Sequence, residues 1–212
     1  MDTENIVVEF KTKTSLSKKL IPLILMLFVI AADQITKQLI VKFIPLTFPP
    51  SIGSSFFGDF LRIIHVCNPG IAFSIGQGWS LTARAFLFRI VPLVVIILVL
   101  IVYFRNDEFS SLQRWAIAGI AGGGLGNLID RFFRKEGVID FIDVKFYGIF
   151  GMDRWPTFNV ADAAVVVCGI LLLISLFALF HFYCFNLGDS IISFFLIACS
   201  HKVYWLNCRL GL

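Results

Sequence analysis

The chain has 212 residues, 58% of them hydrophobic, with 24 phenylalanines and a mean hydropathy of +0.88. Soluble domains average about 45–50% apolar residues, so the composition points to an integral membrane protein and away from a soluble globular domain. A net charge of +4 is too small to argue for a nucleic-acid partner, and the basic residues suit contact with lipid headgroups.

In chain order, a polar stretch at 1–19 carries Lys11, Lys13, Lys18 and Lys19. The first apolar run, 20–41, leads into Asp33 and Lys37 rather than a small-residue cleavage site, and is expected to be a retained signal anchor. Three further runs, 86–104, 113–132 and 158–182, each approach the ~20 residues that a bilayer-spanning helix needs. Pro92 lies close enough to the start of the second run to be tolerated in a first helical turn.

Between the first two runs lies a segment with Pro45, Pro49, Pro50 and a turn-like Ser-Ile-Gly-Ser-Ser at 51–55. Residues 60–66 are rich in β-branched side chains and predict a short strand, so a small β-rich platform on the membrane surface is expected. A second excursion, 133–157, separates the third and fourth runs. The connection from Arg105 to Leu112 is short, which puts both larger excursions on one side of the membrane. Lysine and arginine totals do not decide the orientation; Lys18 and Lys19 directly before the first run favour a cytoplasmic N-terminus.

In the tail, 183–212, the apolar stretch Ile191–Cys199 is too short to cross. Its Phe185–Asp189 segment echoes Phe158–Asp162, but no long apolar run follows, and coincidence is the better reading. The five cysteines (67, 168, 184, 199, 208) form no metal-ligand spacing, and small apolar filling is the expected role.

Polar residues gather near the span ends that face one side. Asp33 and Lys37 stand at i and i+4 on one helix face, as an interfacial anchor or as support for a site. Asn127, Asp130 and Arg131 share a face after a glycine-rich stretch that lets another backbone approach. Asn159 and Asp162 open the fourth run, and helix capping is the plain alternative for Asn159. Asn68, in Asn68-Pro-Gly70-Ile-Ala-Phe-Ser74, follows the expected strand, where an amide would lie beside a bound peptide.

Asp140 and Asp162 are the costliest of these groups. A carboxylate at the centre of a spanning helix costs on the order of 2.5–3.5 kcal/mol, and less toward the interface. Two carboxyls in one low-dielectric site raise one pKa, giving an acid and a base together. Asp140 and Asp143 are equal candidates on sequence alone. Rival chemistries lack their marks: there is no HExxH, no G-x-S-x-G around Ser74, and no G-x-G-x-x-G loop beside a strand.

Taken together, Asp33-Gln-x-x-Lys37, Asn68-x-Gly70-x-Ala72-Phe73-Ser74, Gly126-Asn127-x-x-Asp130-Arg131, Val138-Ile139-Asp140-Phe141 and Phe158-Asn159-x-Ala161-Asp162 resemble, in order, the blocks of the bacterial lipoprotein signal peptidases (signal peptidase II). The resemblance covers about 20–182. It implies an all-α membrane protein of four transmembrane helices with a small extracytoplasmic β-cradle and a short surface helix, flanked by a cytoplasmic segment 1–19 and a tail 183–212 of unknown role. It implies an aspartic endopeptidase with Asp140 and Asp162 as the catalytic dyad, and so selects Asp140 over Asp143. Asp33, Lys37, Asn68, Gly70, Asn127, Asp130, Arg131, Asn159 and Ala161 become substrate-binding or supporting residues. The implied substrate is a diacylglyceryl-modified prolipoprotein cut before its lipidated cysteine. The implied inhibitor is globomycin, the implied setting the bacterial cytoplasmic (inner) membrane, with the site near the extracytoplasmic face of a monomer. Membrane lipid is an expected partner, and no metal or cofactor is expected. Pro69 stands where the family usually has Ser or Thr, which removes a hydroxyl and a backbone donor next to Asn68. A proton- or ion-coupled transporter and a non-catalytic lipid-binding or assembly subunit are the competing classes; clustered acids near one face and the absence of repeated halves favour the enzyme.

Overall fold

The structure, a computed structural model, describes residues 13–69, 80, 82–83 and 86–181. They are mostly helical, with one small antiparallel sheet. A short helix α1 (Leu16–Leu20) leads through Ile21 and Pro22 into α2 (Leu23–Phe43). α2 stops where Ile44 turns extended, as a residue before Pro45 tends to do. A π-helical turn (Phe86–Ile90) runs into α3 (Val91–Arg105), with Pro92 in its first turn. α4 (Ser111–Phe133) starts on a capping box: the Ser110 hydroxyl accepts from the Gln113 backbone N–H, and the Gln113 side chain accepts from the Ser110 N–H. The last helix among the described residues, α5, is Val160–His181.

Leu16–Phe43, Phe86–Arg105 and Val160–His181 are long and apolar enough to cross a membrane. α4 is equally long but less apolar, because it is the helix the others pack around. Its buried face is Gly119, Gly122, Gly123 and Gly126 interleaved with alanines and polar groups. A Cβ on Gly122 would lie 2.8 Å from the Met26 carbonyl oxygen, and one on Gly119 would strike the Cys168 Sγ. Close backbone approach replaces bulky side chains there.

The sheet has strand order β1-β2-β3, formed by β1 (Ile52–Phe56), β2 (Leu61–Asn68) and β3 (Val138–Val144). The expected strand over 60–66 is thus present and longer. The turn-like 51–55 segment is instead an exposed edge strand, paired from Ile52 opposite Ile64 to Phe56 opposite Leu61. β2 carries a bulge between Ile63 and Val66, which resets its register so that Val66 faces Asp140. Ile139 and Phe141 pack with Ile40 and Ile44, fastening the sheet to the end of α2. On the excursion between α4 and α5 the helical piece is a 3-10 turn at Ile149–Gly151.

The chain divides into two compact units, Met1–Leu171 and Leu172–Leu212. The first holds the sheet, α1 to α4 and the start of α5; of the second, the described part is the remainder of α5 to His181. Gly70, Ala72, Phe73, Ser74, Asp189 and the tail 183–212 lie outside the described residues.

Candidate active site

Backbone pairing assembles the site. Phe158, two residues before α5, bridges β3: its carbonyl accepts from the Phe141 and Ile142 N–H groups (3.0 and 2.8 Å), and its N–H donates to the Ile142 carbonyl (3.1 Å). This clamp sets Asp140, on β3, beside the first turn of α5. Strand alternation then separates the two aspartates that sequence alone left equal. Asp140 and Asp143 are an odd number of residues apart and point to opposite faces. Asp143 is taken up by Arg154, whose Nε lies 2.7 Å from both its oxygens.

α5 begins at Val160, two residues later than expected, which makes Asn159 its N-cap and Asp162 its third residue. The pair forms a reciprocal box. Asn159 Oδ1 accepts from the Asp162 N–H at 2.9 Å, and Asp162 Oδ2 accepts from the Asn159 N–H at 3.2 Å. The capping reading and the site reading of Asn159 are therefore both true. Its amide nitrogen still has protons to give. Nδ2 donates to Asp140 Oδ1 at 2.7 Å and also lies near Asn127 Oδ1 (3.0 Å) and the Ile139 carbonyl (3.2 Å). One fully buried asparagine thus touches both carboxylates.

Asn127, on α4, is held in a single orientation. Its Oδ1 accepts from Lys37 Nζ (3.0 Å) and Asn159 Nδ2, which leaves Nδ2 to donate to Asp162 Oδ1 at 2.7 Å. Asn68, at the end of β2, donates from Nδ2 to Asp140 Oδ2 at 3.2 Å. Asp140 is 4% exposed, and its carboxyl is pushed up to about 7. Burial is the main cause and the charge of Asp162 adds to it, against the pull of the amides of Asn68 and Asn159.

Beneath this pair lies a buried ionic layer. Lys37 Nζ reaches Asp33 Oδ2 (2.7 Å) and Asp130 Oδ2 (2.8 Å), and all three side chains are fully buried. Lys37 is therefore an internal cation and no snorkelling anchor. Asp33 Oδ1 accepts from the Ala161 N–H at 3.0 Å, tying α2 to the start of α5. Asp130 is held from its other side by Arg134 Nε (3.0 Å). Arg131 does another job: Nη1 donates to the Phe88 carbonyl at 3.3 Å, the guanidinium lies over the Phe88 ring, and its buried Nε has no partner among the described residues.

Of the expected residues, Asp33, Lys37, Asn68, Asn127, Asp130, Asp140, Asn159, Ala161 and Asp162 fall in one connected network, with Arg131 at its α4 edge; Gly70 lies outside the described residues. Two members went unread. Gln34 Nε2 donates to the Gly126 carbonyl (3.0 Å) and to Asp130 Oδ1 (3.2 Å), and Arg134 pairs Asp130. Gln34 stood inside the Asp33–Lys37 block; the i,i+4 spacing of Asp130 and Arg134 was the available signal for the other. Chemically, the arrangement offers a carboxyl poised near neutrality next to a second carboxylate at a helix N-terminus. Acid–base chemistry needs two such groups side by side.

The sequence profile of the Signal peptidase (SPase) II family, Peptidase_A8, matches residues 25–179. A lipoprotein signal peptidase of Treponema pallidum (strain Nichols) is 51% identical over 158 residues, which is 74% of this chain and 83% of that protein. One from Borrelia hermsii (strain HS1 / DAH) is 48% identical over 160 residues, 74% of this chain and 89% of the other. A bacterial membrane enzyme solved by the in meso method at 2.3 Å resolution aligns with a TM-score of 0.59 and 29% identity, covering 78% of this chain and 91% of the other.

Proposed function

The chain belongs to the signal peptidase II family, a family of proteases, and on that premise we propose that it is the membrane aspartyl endopeptidase that removes the signal peptide from diacylglyceryl-modified prolipoproteins, cutting before the lipidated cysteine. The observation that carries this reading is the Asn159 side chain, which bonds Asp140 while capping the helix turn that presents Asp162.

The proposed chemistry needs two carboxyls and a water. Asp162 receives hydrogen bonds from the Asn127 amide and the Asn159 N–H and sits in the first turn of α5, where the helix dipole favours negative charge. It is the base. Asp140, with its carboxyl raised to about 7, holds the shared proton and is the acid. Asp162 takes a proton from water as the oxygen attacks the scissile carbonyl, while Asp140 hydrogen-bonds the carbonyl oxygen. As the tetrahedral species collapses, the C–N bond breaks and a proton passes to the leaving amine. Asn68 and Arg131 border the peptide path in this reading, and Gly70 is a proposed substrate-binding residue outside the described ones. Asp33, Lys37, Asn127, Asp130 and Ala161 hold the two acids in place. Substrate acyl chains lie in lipid, and anchoring both partners in one bilayer supplies orientation at low entropic cost.

The same proposal takes α4 as a fourth span, the N-terminus as cytoplasmic, and the sheet as a cradle on the extracytoplasmic face of the bacterial inner membrane. The enzyme works as a monomer and is blocked by globomycin. The test is cleavage of a lipidated precursor by Asp140→Asn and Asp162→Asn. Each is expected to lower turnover by on the order of 10²–10⁴, the usual worth of a positioned acid or base. Asp143→Asn and Asp189→Asn are expected to keep substantial, globomycin-sensitive activity. Near-full turnover by either variant of the pair sinks the assignment.

A further inference from the structure

At the opposite ends of α2 and α4 from the acids lies a second polar centre that the peptidase chemistry does not use. Lys37 is fourteen residues past Leu23 in α2, about 21 Å along the helix at 1.5 Å per residue. The centre is organised by Asp107, which pairs with Lys19 Nζ (2.7 Å) and accepts from the Thr14 N–H (3.2 Å). Lys19 also donates to the Phe104 carbonyl, and the buried Tyr103 hydroxyl donates to the Lys19 carbonyl at 2.6 Å. This latch fixes the segment before α1 to the α3–α4 connection.

Beside it opens a cavity of about 650 Å³ lined by Lys13, Lys18, Arg114, Asp107, Ser111 and Trp115, among others. Its charge is unbalanced. Asp107 is the acidic residue on the wall, and Lys19 already pairs it. Glu108 and Arg105 line a separate depression. Lys13 and Lys18 are exposed and have no ion-pair partner among the described residues. Arg114 is 2% exposed, and its guanidinium donates to carbonyls, those of Asn106 (2.9 Å) and Tyr103 (3.4 Å), between the rings of Tyr103 and Phe109. It contributes a buried positive charge that makes no salt bridge among the described residues, although Asp107 on the same wall lies near enough to feel it. The N-terminus of the 23-residue α4 adds the positive end of a helix dipole through Ser111. Trp115, Ile21 and Pro22 add an apolar part to the same lining, and each follows a cation of the cavity in the chain, Lys18 or Arg114. Cations beside an indole suit a phospholipid, with phosphate at the cations and glycerol and acyl chain along the indole.

We propose that this cavity binds the phosphate group of an anionic glycerophospholipid in the leaflet opposite the peptidase site. Bound there, the lipid joins Lys13 and Lys18 to the start of α4 and anchors the N-terminal segment.

The test uses the full chain, purified from vesicles of equimolar phosphatidylglycerol and phosphatidylcholine, with native mass spectrometry of retained lipid. Phosphatidylglycerol is expected to be kept in preference. Lys13→Gln with Lys18→Gln is expected to weaken that retention by on the order of tenfold, as removal of two near-surface cations predicts. A charge-matched control, Lys42→Gln with Lys135→Gln, should leave it unchanged. Precursor cleavage by each variant verifies folding, so failure of the lipid site and failure of the peptidase assignment are read separately. Equal retention of the two lipids, or equal loss in the control pair, overturns the proposal. So does stabilisation by inorganic phosphate alone with no preference between lipids, because the apolar wall then plays no part.

Discussion

Asn159 and Lys37 show how few side chains hold two carboxyls in place. Lys37 and Asn159 together occupy Asn127 Oδ1, and so turn the Asn127 amide toward Asp162. Buried ion pairs of the Lys37 kind are weak evidence for stability, but removing one partner strands a charge. The value here is orientation. The raised carboxyl of Asp140 has a thermodynamic consequence whose sign is fixed. The group titrates near 3.8 unfolded and about 7 folded, so between those values the native state binds more protons. Its contribution is present in full below about 3.8 and is lost as pH rises through about 7. Asp140→Asn removes this dependence. Thermal unfolding in micelles should therefore show the variant gaining on the parent as pH rises from 4 to 8, by at most about 4 kcal/mol for ~3 pK units at 1.36 kcal/mol each. A difference that is flat with pH would mean that Asp140 is not raised. The sequence exposed these residues because ionisable groups among apolar ones are costly. It could not choose between Asp140 and Asp143, since the choice depends on a strand face, and no strand had been read over 138–144.

At the scale of elements, the glycines of α4 are where helices meet the site. A Cβ on Gly126 would lie 2.8 Å from Asp33 Oδ2 and 3.3 Å from the Ala161 Cβ. Gly126→Ala should push Asp33 off the Ala161 N–H, lower the melting temperature and reduce cleavage. Gly169, on α5, has open space around its Cβ position, and Gly169→Ala should be neutral or stabilising by up to about 1 kcal/mol through helix propensity. Equal responses of the two variants would refute this account of close packing. Helix positions were legible because long apolar runs leave few alternatives. Ends were less so: α5 was displaced by two residues because the Asn159–Asp162 box, not hydropathy, starts it. The β1 edge was missed because an exposed strand of serine and glycine carries no alternation.

For the whole molecule, the bonds of Thr14 to Asp107 place the segment before α1 and the α3–α4 connection at one end, while Asp33, Asn127 and Asp162 gather toward the other. Under the proposed topology, a Phe150→Cys variant of a cysteine-free chain reacts with an impermeant maleimide in intact spheroplasts. Glu108→Cys reacts only after permeabilisation. The reverse pattern would invert the molecule and remove the site from the outer face. α4 is less apolar than the other three long helices because a helix packed against protein needs fewer large apolar side chains than one facing lipid.

The bridge from Phe158 to β3 also bears on when the protein becomes an enzyme. Asp140 is synthesised before Phe158, and nothing earlier in the chain supplies what α5 brings: the Asn159 amide, the Asp162 carboxylate and the backbone clamp. A nascent chain halted before α5 has α1 to α4 and all three strands of the sheet but lacks Asp162. Under the proposed mechanism, hydrolytic competence arrives in one step, with the insertion of α5, and biogenesis itself acts as the safeguard against cleavage by a half-made protease.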